Sequence, residues 1–423
     1  MSDALCADLM GRFWIIVYGV TAAAHLPFTL ALAALLSSRG GDQRAGLLAL
    51  PISAALVWLL GGRIAQVKQD RRLSPSRLLL LEEPYFVHWC AVLVSAPLFL
   101  LGALGLLVAR LLAVSFAHAL SLAELASVSH FSYLAGLALS FYGVVVRRRW
   151  VRIRTIDVVI PGLGPAFDGY RIAQLSDLHI GGLWPRARAE RWTRAVNGLD
   201  VDLIALTGDY VTSGTAFHED IAAVLTAMRA RDGVIAVMGN HDYFGDGEPL
   251  LSLLAEGGVE VLHNQHRRLT RGTDGLVIAG VDDTYTRRAD VGRALQGRKR
   301  GEPLIALAHD PQLFPALAEG GAALVLSGHT HGGQLALPFA ATRVNLARLS
   351  YRFHAGLYRL GASQLYVHPG LGTTGPPVRI GAAPEITVLR LRCQFHSCNS
   401  LAPDDPQAPG TQFAPPHRRC IND

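Results

Sequence analysis

The chain has 423 residues, of which half are hydrophobic and 17% are charged, so it is too apolar for a wholly soluble protein and long enough for two domains. Its net charge of +6 does not indicate a nucleic-acid-binding protein, because the excess lies in residues 1–150, with 12 basic and 7 acidic residues, whereas the remainder has 27 and 26.

The five scattered cysteines include no C-x-x-C pair, which excludes a disulfide framework. We expect unpaired thiols, with a bridge between Cys393 and Cys398 left open.

Four long uncharged stretches predict a membrane domain over residues 1–150 with about four transmembrane helices. They cover residues 13–36, 45–62, 84–109 and 125–146. Three of them exceed the roughly 20 residues that cross a bilayer core, and the second lies near the lower limit. The first is not a signal peptide, because it lacks a basic start and three similar runs follow it. Residues 111–123 are apolar but short. They either extend the third span or lie at the interface, and a further span there would reverse the topology of all that follows.

The placement of Lys and Arg predicts the orientation of these spans. With four spans, 11 basic residues fall on one side of the membrane and 3 on the other. The side richer in basic residues faces the cytoplasm, which predicts that both termini and the second domain are cytoplasmic. The histidines in or near the spans share no spacing that would build a site, so we expect them to pack or to lie at the interface. They are His25, His88, His118 and His130.

Residues 151–392 alternate short β-rich runs with helical stretches, which predicts an α/β layered domain. The predicted strands are 155–160, 170–175, 203–206, 234–238, 259–262, 276–279, 304–308 and 323–326. The predicted helices are 186–197, 216–230, 250–256 and 312–318. Residues 393–423 are rich in Pro, Ser, Gln and Asp without periodicity, and we expect a disordered tail.

Five of the predicted strands end directly in polar clusters. Each cluster is commonplace alone, but side chains that follow strands of an α/β sheet gather at one edge, so their order indicates a single site. The clusters are Ser176-Asp177-Leu178-His179, Thr207-Gly208-Asp209, Gly239-Asn240-His241-Asp242, His309-Asp310 and Ser327-Gly328-His329-Thr330-His331.

This ordered set resembles the calcineurin-like metallophosphoesterases over residues 153–391. The sequences at 176–179, 328–334, 369–372 and 384–386 are similar to those of a membrane-associated bacterial branch, which includes transmembrane metallophosphoesterases and relatives of the UDP-2,3-diacylglucosamine hydrolases. The resemblance implies a β-sandwich flanked by helices.

Members of that branch often have Arg before Gly-Leu-Gly, where this chain has His368 and Pro369. Either Arg379 substitutes in binding phosphate, or the loop only packs.

The resemblance also implies two divalent metal ions and their ligands. One metal would take Asp177, His179, Asp209 and His331, and the other Asp209, Asn240, His309 and His329, so that Asp209 bridges. Nitrogen and oxygen ligands suit Mn, Fe, Zn or Co. A water shared by two such ions ionises near neutral pH and can attack phosphorus. His241 would donate a proton to the leaving oxygen or stabilise the transition state. Asp242 would orient that imidazole, or serve the loop.

The sequence therefore predicts a membrane-anchored, metal-dependent hydrolase of a phosphodiester or pyrophosphate bond. The membrane half favours a lipid or lipid-linked substrate and contact with membrane lipids. The alternative is the same chemistry on a soluble nucleotide or phosphoprotein. A non-catalytic membrane sensor is less favoured, because all seven proposed ligands and His241 are present. Among the histidines outside the motifs, His354 and His368 are candidates to line the substrate pocket.

Overall fold

The computed structural model describes residues 3–40, 43–68, 72–112, 120–337, 340–341 and 343–394. Its contacts divide the chain into two compact units. One consists of Met1–Gln66 and Leu73–Arg147, and the other of Val67–Arg72 and Arg148–Asp423.

The first unit is helical, as expected for apolar segments whose backbone groups must be satisfied within each segment. Among the residues that the structure describes, four stretches are long and apolar enough to cross a membrane, namely Trp14–Ser38, Arg44–Ala65, Pro75–Leu112 and Leu122–Arg149. The ends of the segment 111–123 belong to helices, and residues 113–119 lie outside the described residues. The α-helices of this unit are α1 (Asp3–Ala24), α2 (Leu26–Gly40), α3 (Ala49–Lys68), α4 (Pro75–Arg77), α5 (Glu83–Leu112) and α6 (Leu122–Phe141).

Two of the histidines in these helices meet, which their sequence spacing did not predict. His25 Nε2 lies 3.3 Å from His88 Nε2, and His88 Nδ1 lies 2.9 Å from the hydroxyl of Tyr133. His25 Nδ1 donates to the carbonyl of Thr21 at 2.7 Å. The contact joins residues from α5, α6 and the junction of α1 and α2, so no local spacing could reveal it.

In its described residues, the second unit contains two six-stranded sheets and five α-helices. The first sheet has the order β1-β12-β2-β3-β4-β5, and the second β10-β11-β9-β8-β7-β6. The strands are β1 (Arg152–Ile160), β2 (Arg171–Leu175), β3 (Leu203–Thr207), β4 (Val234–Val237), β5 (Val259–Val261), β6 (Gln265–Arg271), β7 (Asp274–Val281), β8 (Leu304–Ala308), β9 (Leu324–Ser327), β10 (Gly356–Leu360), β11 (Ser363–Val367) and β12 (Glu385–Cys393). The helices are α7 (Arg186–Asn197), α8 (His218–Leu225), α9 (Glu248–Glu256), α10 (Val291–Leu295) and α11 (Phe314–Glu319).

The two sheets share one hydrophobic core. Leu203 and Ile235 of the first sheet pack in it with Ile305 and Leu324 of the second, and all four are fully buried. β3 and β8 are buried along their whole length, as expected for parallel strands covered on both faces. A second cluster packs α11, through Phe314, against the outer face of the second sheet. The predicted β-sandwich flanked by helices, preceded by apolar helices, is confirmed.

The strands that precede the polar clusters are parallel neighbours within each sheet. β2 pairs with β3 and β3 with β4 in the first sheet, and β8 pairs with β9 in the second. Their carboxyl ends therefore lie at one edge of each sheet, where the fold places the loops that carry the candidate ligands.

Two cysteines in the described part of the chain, Cys90 and Cys393, are buried. Cys393 is the last residue of β12 and pairs with Ile160. The strand thus extends one residue into the segment predicted as tail. Residues 395–423, on which the rest of that prediction falls, lie outside the described residues.

Candidate metal centre

The five loops bring the predicted side chains into two groups. In the first, Asp177, His179 and His331 offer ligand atoms that all lie within 4.8 Å of one another. In the second, Asp209, His309 and His329 meet the same limit. Each group combines residues from both sheets, so the arrangement depends on the tertiary fold.

Asp209 stands between the two groups. Its Oδ2 lies 3.6 Å from His179 Nε2 and 3.2 Å from His309 Nε2. Its other oxygen, Oδ1, accepts the backbone N–H of His241 at 2.9 Å. One carboxylate thus reaches both groups, which is the placement that a bridging ligand needs.

The imidazole nitrogens within each group face one another at close range. His179 Nε2 and His331 Nε2 are 3.0 Å apart, and His331 Nε2 is 3.4 Å from Asp177 Oδ1. In the second group, His329 Nδ1 and His309 Nε2 are 3.1 Å apart. Several nitrogen and oxygen atoms therefore surround each of two points, as in a mixed imidazole–carboxylate metal site.

The second nitrogen of each of three histidines is engaged by a neighbour, which fixes the orientation of the ring. His309 Nδ1 donates to the carbonyl of Thr207 at 2.7 Å. His329 Nε2 lies 3.1 Å from the hydroxyl of Tyr351. His331 Nδ1 lies 3.4 Å from Nη2 of Arg379. Sequence reasoning placed Thr207 in a motif but missed the role of its carbonyl, because a main-chain carbonyl has no sequence signature. It missed Tyr351 because this residue lies outside every motif.

Asn240 provides a direct test of whether these residues fit a metal ion. Its side chain is 5% exposed, and its Oδ1 is a buried oxygen without a hydrogen-bond partner among the residues that the structure describes. A buried, unpaired carbonyl oxygen is costly unless something satisfies it. Oxygen is a suitable ligand for a divalent cation. The donor set therefore fits the metal that the resemblance implies.

The protonation of the histidines supports the same conclusion. Burial, together with the neighbouring His241, lowers the pKa of His179 to about 3. Burial also lowers the pKa of His331 well below its usual range and the pKa of His329 below it. These three imidazoles are neutral at pH 7, and a neutral imidazole has the lone pair that a metal requires.

Asp209 and His309 form the charged pair of the site. Burial opposes the ionisation of Asp209, but His309 and His241 outweigh it and hold the pKa of this carboxyl well below its usual range. Burial likewise opposes a charge on His309, and Asp209 overcomes it and raises the pKa of His309 to about 10. The carboxylate attracts positive charge to the point between the two groups.

Five of the seven proposed ligands have left-handed backbone conformations. Their φ angles are +53° at Asp177, +48° at His179, +58° at Asp209, +73° at His329 and +54° at His331. Such strain in non-glycine residues costs on the order of 1 kcal/mol each and is concentrated at functional sites. The chain accepts this cost at the residues that the motifs identify.

Gly328 allows two of the loops to touch. A Cβ atom there would lie 1.9 Å from Ser176 Oγ and 2.4 Å from Asp177 Oδ2. Any side chain would displace the Asp177 loop, so this position requires glycine.

His241 lies beside the first group and is half-buried. Its ring centroid is 4.8 Å from that of His179, and its Nδ1 lies 2.6 Å from the carbonyl of Thr212. A carbonyl only accepts, so Nδ1 carries the proton in this contact. With His179 and Asp209, His241 also forms a third group of ligand atoms within 4.8 Å. Its predicted role as a proton donor stays a prediction.

The carboxylate of Asp242 binds backbone amides. Oδ2 accepts the N–H groups of Gly239 at 2.9 Å and Asp209 at 2.8 Å. Oδ1 accepts those of Tyr210 at 2.7 Å and Val211 at 3.2 Å. The ring of His241 is instead held by Thr212. Of the two roles that the sequence left open for Asp242, these contacts favour support of the loops.

The loop 369–372 packs against the Asp177 loop. Gly372 N–H donates to the carbonyl of Asp177 at 2.7 Å. Arg379 is fully buried, and its guanidinium donates to the carbonyls of Gly372 and Pro369. These contacts favour packing over phosphate binding for the loop. His354 and His368, the candidates for the pocket lining, are both buried, at 7% and 0% exposure.

Comparison with known proteins identifies the family. A profile described as calcineurin-like phosphoesterase matches residues 170–333. The chain is 35% identical over 268 residues to the "Transmembrane protein with metallophosphoesterase domain" of Danio rerio. The match covers 60% of this chain and 60% of that relative, so the chain spans about three fifths of the relative's length. It is 32% identical over 230 residues to the uncharacterized metallophosphoesterase YkuE of Bacillus subtilis, covering 53% of this chain and 80% of YkuE. It is also 32% identical over 244 residues to YkoQ of the same organism, covering 56% of this chain and 89% of YkoQ. The chain therefore belongs to the calcineurin-like metallophosphoesterases.

Proposed function

We propose that this protein is a membrane-anchored phosphoesterase that works with two divalent metal ions. The observation that carries the proposal is the carboxylate of Asp209, whose Oδ2 lies within 3.6 Å of His179 Nε2 and 3.2 Å of His309 Nε2. Asp177, His179 and His331 would hold one ion with Asp209, and Asn240, His309 and His329 the other. When bound, the ions would supply an activated water and stabilise charge on the phosphoryl oxygens.

His241 would act on the leaving group. Its Nδ1–H is held by the carbonyl of Thr212 at 2.6 Å, so the imidazolium form would carry a second proton on Nε2 and donate it, or a hydrogen bond, to the leaving oxygen. The contact with Thr212 fixes the ring without adding a charge. Asp242 would support this arrangement indirectly, because it holds the backbone of the Asp209 loop.

The substrate in this proposal is a phosphodiester or pyrophosphate carried by a lipid. Four helices long and apolar enough to cross a membrane keep a bilayer within reach of the catalytic domain. That domain, with 27 basic and 26 acidic residues after residue 150, has no excess charge to attract nucleic acid. A lipid-linked nucleotide, the substrate class of the UDP-2,3-diacylglucosamine hydrolases that the sequence resembles, would combine both features. A soluble nucleotide or phosphoprotein is the competing substrate.

The experiment is an assay of the full-length protein in detergent. Loaded with Mn²⁺, it is expected to hydrolyse bis-p-nitrophenyl phosphate and to lose the activity in EDTA, since the ions supply the nucleophile. A panel of phospholipids, lipid-linked nucleotides and soluble esters then identifies the substrate. Turnover of lipid esters above soluble ones supports the proposal, and the reverse order favours the soluble alternative. No metal-dependent turnover of any ester would leave the non-catalytic sensor.

We further propose that residues 151–392 form the catalytic domain and lie in the cytoplasm of a bacterial cell. This proposal is based on the distribution of basic residues, with 11 on one side of the four spans and 3 on the other. A reporter enzyme fused after Asp423 is expected to be active only if the reporter folds in the cytoplasm. A periplasmic signal would mean an odd number of spans.

A further inference from the structure

The described residues 335–337, 340–341 and 343–350 are here called the leucine loop, and they expose an unusual amount of aliphatic surface. The loop begins four residues after His331, a proposed ligand. Leu337 is 55% exposed, Val344 52%, Leu346 54% and Leu349 85%. Single exposed leucines are ordinary, but four large aliphatic side chains on one short loop form the kind of patch that marks a binding surface.

The exposure does not result from a lack of local structure in the described part of the loop. Leu337 N–H donates to the carbonyl of Val344 at 2.9 Å, and Leu346 N–H to that of Leu335 at 3.2 Å. Asn345 is buried, and its side-chain amide donates to the carbonyl of Ala341 at 2.7 Å. The backbone is thus hydrogen-bonded while the aliphatic side chains point away from the protein.

The leucine loop is held at both ends, and its C-terminal end is tied to the candidate metal centre through Tyr351. On the N-terminal side, Gln334 donates to the carbonyl of Thr374 at 2.7 Å and accepts its N–H at 3.1 Å. On the C-terminal side, Tyr351 N–H donates to the carbonyl of Ala347 at 2.8 Å, and the Tyr351 hydroxyl lies 3.1 Å from His329 Nε2. Whatever the loop contacts is therefore brought close to the proposed ligands.

The charges on and beside the loop are all positive. Arg343, Arg348 and Arg352 are exposed, and residues 332–353 contain no acidic residue. Aliphatic side chains interleaved with arginines are typical of segments that lie in the interface of an anionic bilayer, with the apolar groups among acyl chains and the cations at phosphates. A protein partner would also accept the aliphatic groups, but arginines without acidic neighbours in the sequence favour the anionic surface of a bilayer.

We propose that the leucine loop inserts into the surface of an anionic bilayer, so that the metal centre opens towards phosphoesters carried by lipids. The membrane helices of the same chain keep such a surface within reach. The second half of this inference rests on the proposed lipid substrate, and the insertion itself does not.

The test places an environment-sensitive NBD label on the loop of the full-length protein. Leu349→Cys is labelled in a background with serine at Cys6, Cys398 and Cys420, since Cys90 and Cys393 are buried. The protein is held in nanodiscs of phosphatidylcholine and phosphatidylglycerol that contain nitroxides near the top of the acyl chain. Leu360→Cys is the matched control, because Leu360 is 43% exposed and pairs with Ser363 at the opposite end of β10 from Gly356.

Several-fold stronger quenching at position 349 than at position 360 is expected. Quenching at 349 should weaken in nanodiscs of phosphatidylcholine alone and in Arg343→Gln/Arg348→Gln. Equal, weak quenching at both positions would overturn the proposal. So would a label that becomes protected only as protein concentration rises in detergent, which would make the loop an interface between copies. Hydrolysis is not measured, so failure of insertion is distinct from failure of the lipid substrate.

Discussion

Replacing Asp209 with Asn is expected to lower kcat for bis-p-nitrophenyl phosphate by at least about 10³-fold and to reduce the bound metal to one ion or none. The physical reason is the position of Oδ2, 3.6 Å from His179 Nε2 and 3.2 Å from His309 Nε2. A carboxamide oxygen is neutral and is a weaker ligand for two cations than a charged carboxylate oxygen. If the NH₂ group took the position of Oδ2 it would repel both cations, and if it took the position of Oδ1 it would face the N–H of His241.

Metal content by mass spectrometry and kcat measured on the same preparation check this prediction. Asp200→Asn is the matched control, because Asp200 also has a left-handed backbone, with φ of +47°, but is exposed. Asparagine tolerates that conformation, so the control separates backbone effects from loss of the ligand. Full activity and two bound metals in Asp209→Asn would exclude a bridging role for this carboxylate.

Most of the buried strands were predicted from the sequence, but the buried interior strands β11 and β12 and the edge strands β6 and β10 were not. β3 and β8 are apolar and fully buried, which makes them short hydrophobic runs bounded by turns. β6 was missed because six of its seven residues are polar and it lies at a sheet edge. β10, at the other edge of the same sheet, is also largely exposed. Hydrophobic patterning reports burial, and edge strands lack it on most positions.

The helix boundaries predicted from the sequence match the observed ones for one helix and differ from them for another. Helix α7 was predicted at its observed bounds, Arg186–Asn197, because its apolar residues recur at helical spacing. The helix predicted over 216–230 is present only as His218–Leu225. Alanine-rich sequence continues to Ala230, but the chain turns at Thr226 and enters β4 after Gly233, which has a positive φ of +91°. Tertiary packing here overrides helix propensity.

The candidate ligands could be named from the sequence because each lies in a motif directly after a strand. Their supporting contacts could not. The carbonyls of Thr207 and Thr212 hold His309 and His241, and any residue type could supply a carbonyl. The hydroxyl of Tyr351 reaches His329, although 21 residues separate the two in the chain. Such contacts depend on how the loops fold over the sheet edge, which motif spacing does not encode.

Replacing Asp242 with Asn is expected to destabilise the catalytic domain by about 3 kcal/mol, which corresponds to a Tm lower by roughly 5–10 °C. The carboxylate accepts four buried backbone N–H groups, those of Gly239, Asp209, Tyr210 and Val211. The NH₂ group of asparagine would face two of these donors and leave them unsatisfied. The metal-stripped, full-length protein in detergent, followed by tryptophan fluorescence, provides the measurement.

His241→Gln is the comparison that separates support from chemistry. Loss of a proton donor is expected to lower kcat by about 10²-fold. The Tm and metal content should not change, because the half-buried ring has its one described side-chain hydrogen bond to the carbonyl of Thr212. Asp242→Asn should instead lose activity in proportion to its loss of folded, metal-loaded protein. If Asp242→Asn keeps its Tm and metal but loses kcat as His241→Gln does, then Asp242 acts through the imidazole and the loop-support role is wrong.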